Sequence, residues 1–279
     1  MSTDVGAPKP GWVLRPGRAE DHETFARLFS ELGVDDPPPP LTVWAGELAP
    51  RSLILEGPSG VMAYMVTEAM GELGYVGQLV VAPSARNQGV GRWVLRRAAE
   101  RLRQEGCRHW ALNVKQDNAP ALALYTSLGM RRTRQAAALK LTRAQGAALP
   151  PVPPGLSVVP VVPADLEPLT AAFGMLPGKL ERFSLLASHR LMRLAREGGP
   201  GDEVLGLMDQ RAGGKVLFPF FAVSPGHARG LVEAAFAWLG PEVESLTVVV
   251  TDDAPLVRLL REAGATVSHE TFELRGPLP

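Results

Sequence analysis

The feature that most narrows what this chain can fold into is that it resembles itself. Leu14-Arg-Pro-Gly-Arg-Ala-Glu-Asp21-His-Glu23, leading to Phe29, matches Val158-Val-Pro-Val-Val-Pro-Ala-Asp165-Leu-Glu167, leading to Phe173, in register and 144 residues apart. Val81-Ala-Pro83-Ser pairs with Val223-Ser-Pro225-Gly at a spacing of 142, and Asp117-Asn-Ala-Pro120 pairs with Asp252-Asp-Ala-Pro255 at a spacing of 135. The shrinking offset means that the second copy is shorter, with most of the loss between the last two anchors. A 279-residue chain can hold one large domain or two of ordinary size, and the repeat chooses two.

Between the copies lies Ala144-Gln-Gly-Ala-Ala-Leu-Pro-Pro-Val-Pro-Pro-Gly155, whose prolines favour an extended, semi-rigid spacer over a helix or central strand. The reading is a first domain over 1–143, a Pro-rich linker over 144–155 and a second domain over 156–279. With 46% hydrophobic and 21% charged residues the chain has material for packed cores. Lys+Arg and Asp+Glu balance at 29 each, so no field of one sign draws it to nucleic acid or an anionic membrane, and any anion must be held by local geometry. Cys107 stands alone, which excludes an internal disulfide and fits a small core hydrophobe. No apolar leader or spanning stretch is visible in the sequence, and a soluble, cytoplasmic protein is expected.

In the first copy, Phe25, Leu28, Phe29 and Leu32 recur at helical spacing up to Gly33, and the Pro-rich run to Pro40 reads as a loop. Residues 52–56, 61–66 and 75–81 are short β-branched or aromatic runs divided by glycine turns, as in an antiparallel meander. Trp93, Val94, Leu95, Ala98, Ala99 and Leu102 mark a helix closed by Gly106. A strand over 110–114, a helix over 119–128 and a final strand over 134–141 complete the copy, and the order is α+β. The second copy repeats it, with strands near 190–195, 204–210, 216–223 and 246–250.

The densest local signal is the strand Gln78-Leu79-Val80-Val81, then Ala-Pro-Ser-Ala-Arg86-Asn87-Gln88-Gly89-Val90-Gly91-Arg92, then a helix. A glycine-rich turn entering a helix exposes unpaired N–H groups at the positive end of the helix dipole, which is an anion site. Gly89 and Gly91 let the backbone approach phosphate, and Arg86 and Arg92 can add charge-assisted bonds. The pattern fits neither the dinucleotide fingerprint nor the P-loop.

Arg86-x-x-Gly89-x-Gly91 after a strand ending in Leu-x-Val resembles the pyrophosphate-binding motif of GNAT N-acetyltransferases. Leu112-Asn113-Val114, Asn118, Ala121, Leu124-Tyr125 and Leu128-Gly129-Met130 follow at that family's distance. The resemblance implies two tandem GNAT-like domains, each a mixed, mainly antiparallel sheet flanked by helices. It implies acetyl-CoA as cosubstrate, with Leu79, Val80 and Val81 holding the pantetheine arm and polarising the acetyl carbonyl. The backbone from Gln88 to Arg92 would cradle the pyrophosphate, Asn118 would contact the pantetheine or its covering loop, and Tyr125 would protonate the departing thiolate. The implied reaction acetylates a primary amine of a small molecule, with protein or peptide N-acetylation and non-catalytic acyl-CoA binding as alternatives.

Family members often carry a glutamate as base on the strand before the bulge, where this chain has Gly77-Gln78; Glu72, Asp35 and Asp36 are substitutes, and the base stays unassigned. His22, His109, His189, His227 and His269 show no metal-ligand spacing, so no catalytic metal is expected. In the second copy Ser224-Pro-Gly-His-Ala-Arg-Gly230 is too short to wrap a pyrophosphate, Leu260 replaces Tyr125 and Val248 replaces Asn113. A degenerate copy with a structural role, closing the acceptor cleft or making a homodimer, is the expectation.

Overall fold

The computed structural model describes residues 9–33, 37–198, 203–211 and 214–279. In chain order the elements are β1 (Val13–Pro16), α1 (His22–Phe29), α2 (Leu41–Val43, running into a π turn over Trp44–Leu48), β2 (Ser52–Gly57), β3 (Gly60–Met70), β4 (Leu73–Val81), α3 (Val90–Gln104), β5 (His109–Lys115), α4 (Ala119–Thr126) and β6 (Arg131–Thr142). There follow α5 (Arg143–Ala147), β7 (Leu156–Pro160), α6 (Leu166–Ala172), α7 (Lys179–Ser184), β8 (His189–Arg196), β9 (Gly206–Arg211), β10 (Val216–Ala222), α8 (Pro225–Leu239), β11 (Ser245–Thr251), α9 (Ala254–Glu262) and β12 (Thr266–Pro277). The repeat is visible in single hydrogen bonds. Asp21 accepts from the Arg18 N–H as Asp165 does from Val162, and Asn118 caps α4 as Asp253 caps α9.

The compact units are not contiguous in sequence. Of the described residues, the first unit holds those up to Val114, Asn118–Thr133 and Glu273–Pro279; the second holds Lys115–Asp117 and Arg134–Phe272. Where the sequence reading ends the first copy with a strand over 134–141, those residues pair with β11, from Ser245↔Thr142 to Thr251↔Ala136. The residues from Glu273 onward instead belong to the first unit, in which Leu278 N–H donates to Arg108 O and the Thr133 hydroxyl to Glu273 O. Apolar alternation along a strand fixes which face is buried, not which edge it joins.

In the first unit the strands run β1-β2-β3-β4-β5-β12. β1 to β4 are an antiparallel meander, and β5 joins β4 in parallel. One core gathers Phe25, Phe29, Trp44, Ile54, Tyr64, Val66 and Val80, with Trp44 stacked 4.2 Å from Phe25. α3 buries Trp93, Val94, Leu95, Ala98 and Leu102, as its spacing predicts. Cys107 is buried, and that burial pushes its thiol above the ordinary range.

The second unit orders its strands β12-β6-β11-β10-β9-β8-β7. Its larger core holds Leu139, Leu141, Met208, Phe220, Leu231, Val232, Phe236, Val248 and Leu260. The segment read as an extended spacer begins as a helix, α5, with a reciprocal cap between Thr142 and Gln145. Its prolines then pass along α8, where a Cβ on Gly226 would lie 2.6 Å from Pro151 O and one on Gly230 would lie 3.3 Å from Val152.

Candidate active site

Parallel pairing of β4 with β5 runs from Leu73↔His109 to Val76↔Leu112. At that point the β3–β4 register shifts and Gly77 bulges out, so β4 changes course while still paired to β3 from Val66↔Gln78 to Ala63↔Val81. The described register with β5 does not resume, and the two strands open a slot. Ala82 N–H donates to Met62 O, so alternation turns the polar groups of Val80 toward β3 and those of Leu79 and Val81 toward the slot. An extended amide chain entering it would find a strand edge ready to pair.

The turn at the mouth is shaped by two left-handed residues, Asn87 at φ 60° and Gly89 at φ 75°, flanking Gln88. Gly89 is the N-cap of α3, with no side-chain oxygen bonded to the first turn. The N–H groups of Val90, Gly91 and Arg92 therefore face outward with the dipole behind them. The space beside Gly89 is open: a Cβ there meets nothing within 4 Å. Gly91 is a packing glycine, since its Cβ would lie 3.3 Å from Leu124 and 3.7 Å from Val81, and it thereby joins the turn, the end of β4 and α4. Arg92 is exposed at the turn. Arg86 is tied down, its Nε donating to Val81 O at 3.1 Å and its Nη2 to Glu31 at 2.6 Å.

Tyr125 follows Leu124 on α4 and is 7% exposed; burial pushes its phenol up to about 12. Its carbonyl accepts from Leu128 and Met130 N–H around Gly129, which closes the helix. Asn118 spends its side-chain oxygen on the Ala121 N–H at 3.1 Å, a capping bond that sets the start of the helix carrying Tyr125. Asn113 Nδ2 donates to the Tyr75 hydroxyl at 3.0 Å across β4 and β5.

Glu72 stands at the start of β4, six residues and so about 20 Å of extended strand from Gln78, and pairs in solvent with Arg108. That distance removes it from the bulge. Asp35 and Asp36 lie outside the described residues. The group that residue types alone overlooked is Gln78 itself. It sits opposite Val66, on the face of the Phe25 core, with Oε1 buried and without a hydrogen-bond partner. The Tyr64 hydroxyl, diagonal to it on the same face, is likewise buried and unpartnered.

The second unit shows what the first would look like with the slot shut. Its parallel pairing resumes beyond the bulge, at Phe220↔Val250. α8 starts at Pro225, directly after the strand, and Ser224 caps it through the His227 N–H. Leu260, in place of Tyr125, is core.

A bulged strand splayed from its parallel neighbour, with an uncapped helix entry at the mouth, makes an open slot with an anion-binding turn beside it. Residues 20–130 match the family model described as Acetyltransferase (GNAT) family. No curated protein sequence matches the chain. Among solved structures it resembles a GCN5-related N-acetyltransferase from Sphaerobacter thermophilus, with 20% identity, 97% of this chain and 96% of that one covered, and a TM-score of 0.71. A putative acetyltransferase from Pyrococcus horikoshii gives 15% identity, coverages of 99% and 92% and a TM-score of 0.72. A tandem GNAT protein from the clavulanic acid biosynthesis pathway gives 17%, 96%, 99% and 0.65. The family match thus places a GNAT acetyltransferase domain over residues 20–130, and the chain shares its fold with GNAT acetyltransferase structures over nearly its whole length.

Proposed function

We propose that the first unit moves an acetyl group from acetyl-CoA to a primary amine of a small molecule, by direct attack in a ternary complex. The observation that carries this reading is the slot between β4 and β5, open in the first unit and closed in the second. Leu79 and Val81 offer the edge that binds the pantetheine amides, and the N–H groups from Gln88 to Arg92 take the pyrophosphate. The amine nitrogen attacks the thioester carbon, the C–S bond breaks, and the nitrogen loses a proton to water. Gln78 Oε1 is an acceptor in need of a donor, and an amine N–H supplies one. Tyr125 donates to the departing sulfur.

The test is CoA release from acetyl-CoA over a panel of small primary amines, set beside peptides with free N-termini or lysines. Turnover of small amines with none of peptides is expected. Turnover confined to peptides would move the acceptor to protein. Binding of acetyl-CoA with release in neither panel would favour a non-catalytic module.

A further inference from the structure

The turn at the entry of α3 has a cation beside it that the motif does not contain. Arg86, the motif's own arginine, is bonded to Glu31 and to Val81 O. Gln88, two residues on, donates through Nε2 to Ser84 O at 2.8 Å, which fixes its amide and leaves Oε1 as an acceptor. That acceptor receives the Lys9 ammonium, which comes from 79 residues earlier in the chain. Lys9 also stands 5.6 Å from the centre of the Trp12 ring, and Trp12 packs against Gly57 of β2, where an added Cβ would fall 3.1 Å from the indole. Residues 9–12 are thus anchored on the first unit, with Lys9 at the turn.

An ammonium has three donors and Gln88 takes one. Lys9 and Gln88 are exposed, so the remaining donors are open to solvent beside a turn in which a Cβ on Gly89 would meet nothing within 4 Å. A charge so placed does nothing for an apolar core and much for a polyanion. We propose that Lys9 is a binding residue for the phosphates of acetyl-CoA, held at the turn by Gln88. The inference rests on the cofactor placement proposed above.

The experiment uses the full chain and three thioesters: acetyl-CoA, acetyl-dephospho-CoA and acetyl-pantetheine, which carries neither the diphosphate nor the 3′-phosphate. Lys9→Met should weaken acetyl-CoA binding about three- to tenfold, as expected of an exposed charge-assisted contact. Lys9→Arg should retain most of the affinity, and the loss in Lys9→Met should shrink as salt is raised. Turnover of acetyl-pantetheine should be equal in wild type and Lys9→Met, which a merely structural lysine would not ensure. If the loss persists with acetyl-dephospho-CoA the diphosphate is the partner, and if it vanishes there the 3′-phosphate is. Wild-type affinity in Lys9→Met, or an equal loss with acetyl-pantetheine, overturns the proposal. Absence of acetyl-CoA binding by wild type would instead sink the cofactor placement on which it rests.

Discussion

Tyr125 shows how burial decides what a phenol can do. At about 12 its proton is held more tightly than that of a free thiol near 8.5, so full transfer to an unperturbed thiolate would be uphill by about 3.5 pKa units. In the reaction proposed above, its contribution is then an O–H to S hydrogen bond that strengthens as charge grows on sulfur. Tyr125→Phe should lower kcat about a hundredfold, or about 2.7 kcal/mol of barrier, with acetyl-CoA affinity nearly unchanged. Equal kcat values in a steady-state comparison would remove the hydroxyl from the reaction. The pH profile offers a second check: a phenol raised this far stays protonated through neutrality, so no limb from Tyr125 should appear below about pH 11. Gly89 carries a separate prediction. A β-branched side chain at φ 75° is strained and would fill the open side of the turn, so Gly89→Val should weaken acetyl-CoA at least tenfold by calorimetry. Gly89→Asn, which tolerates that backbone, should fold better and still bind less tightly than wild type; normal binding by the valine variant would place the phosphates elsewhere.

Among the elements, α3 and α8 make the comparison that matters, because both follow a bulged strand and only one keeps an open entry. α8 is crossed by the Pro-rich segment: Arg143 donates to the Phe236 and Gly240 carbonyls at its C-terminal end, and Arg229 bonds Leu149 O at 3.0 Å nearer its start. Gly226→Val would force side-chain carbon against Pro151 O and should destabilise the protein by about 1–3 kcal/mol. Titration with acetyl-CoA should give the wild-type Kd, since the slot is in the other unit; a weakened Kd would show that α8 shares in the cofactor site. Much of this was legible beforehand. Apolar spacing located α3 and the meander, and the glycine turn announced its helix entry. The α5 helix was obscured by the prolines after it, although Thr142 and Gln145 are spaced as a reciprocal cap. The bulge at Gly77 and the buried oxygen of Gln78 depend on register, and a one-residue shift invisible in composition turns a side chain to the opposite face.

At the scale of the whole molecule, the tandem copies are not cut at the linker. The first unit is completed by Glu273–Pro279, where a Cβ on Gly276 would fall 2.8 Å from Gly129 O, beside the turn that ends α4. The second unit in turn contains β6 from Arg134 onward, which the repeat assigns to the first copy. Removing 273–279 should therefore damage the unit that those residues complete, not only the copy to which they belong by sequence. The expected result for a chain ending at Phe272 is a lower Tm together with loss of acetyl-CoA binding, because α4 and its Tyr125 lose the strand packed on Gly129. A fragment of 1–143 should be poorly soluble, since it leaves β5 without its β12 neighbour and exposes apolar residues of β6, such as Leu139 and Leu141. Supplying 144–279 as a separate chain should restore both solubility and binding, at one acetyl-CoA per pair of chains. Soluble 1–143 that bound acetyl-CoA with full affinity by itself would show that the sequence boundary is also the folding boundary, and that β12 is dispensable to the site.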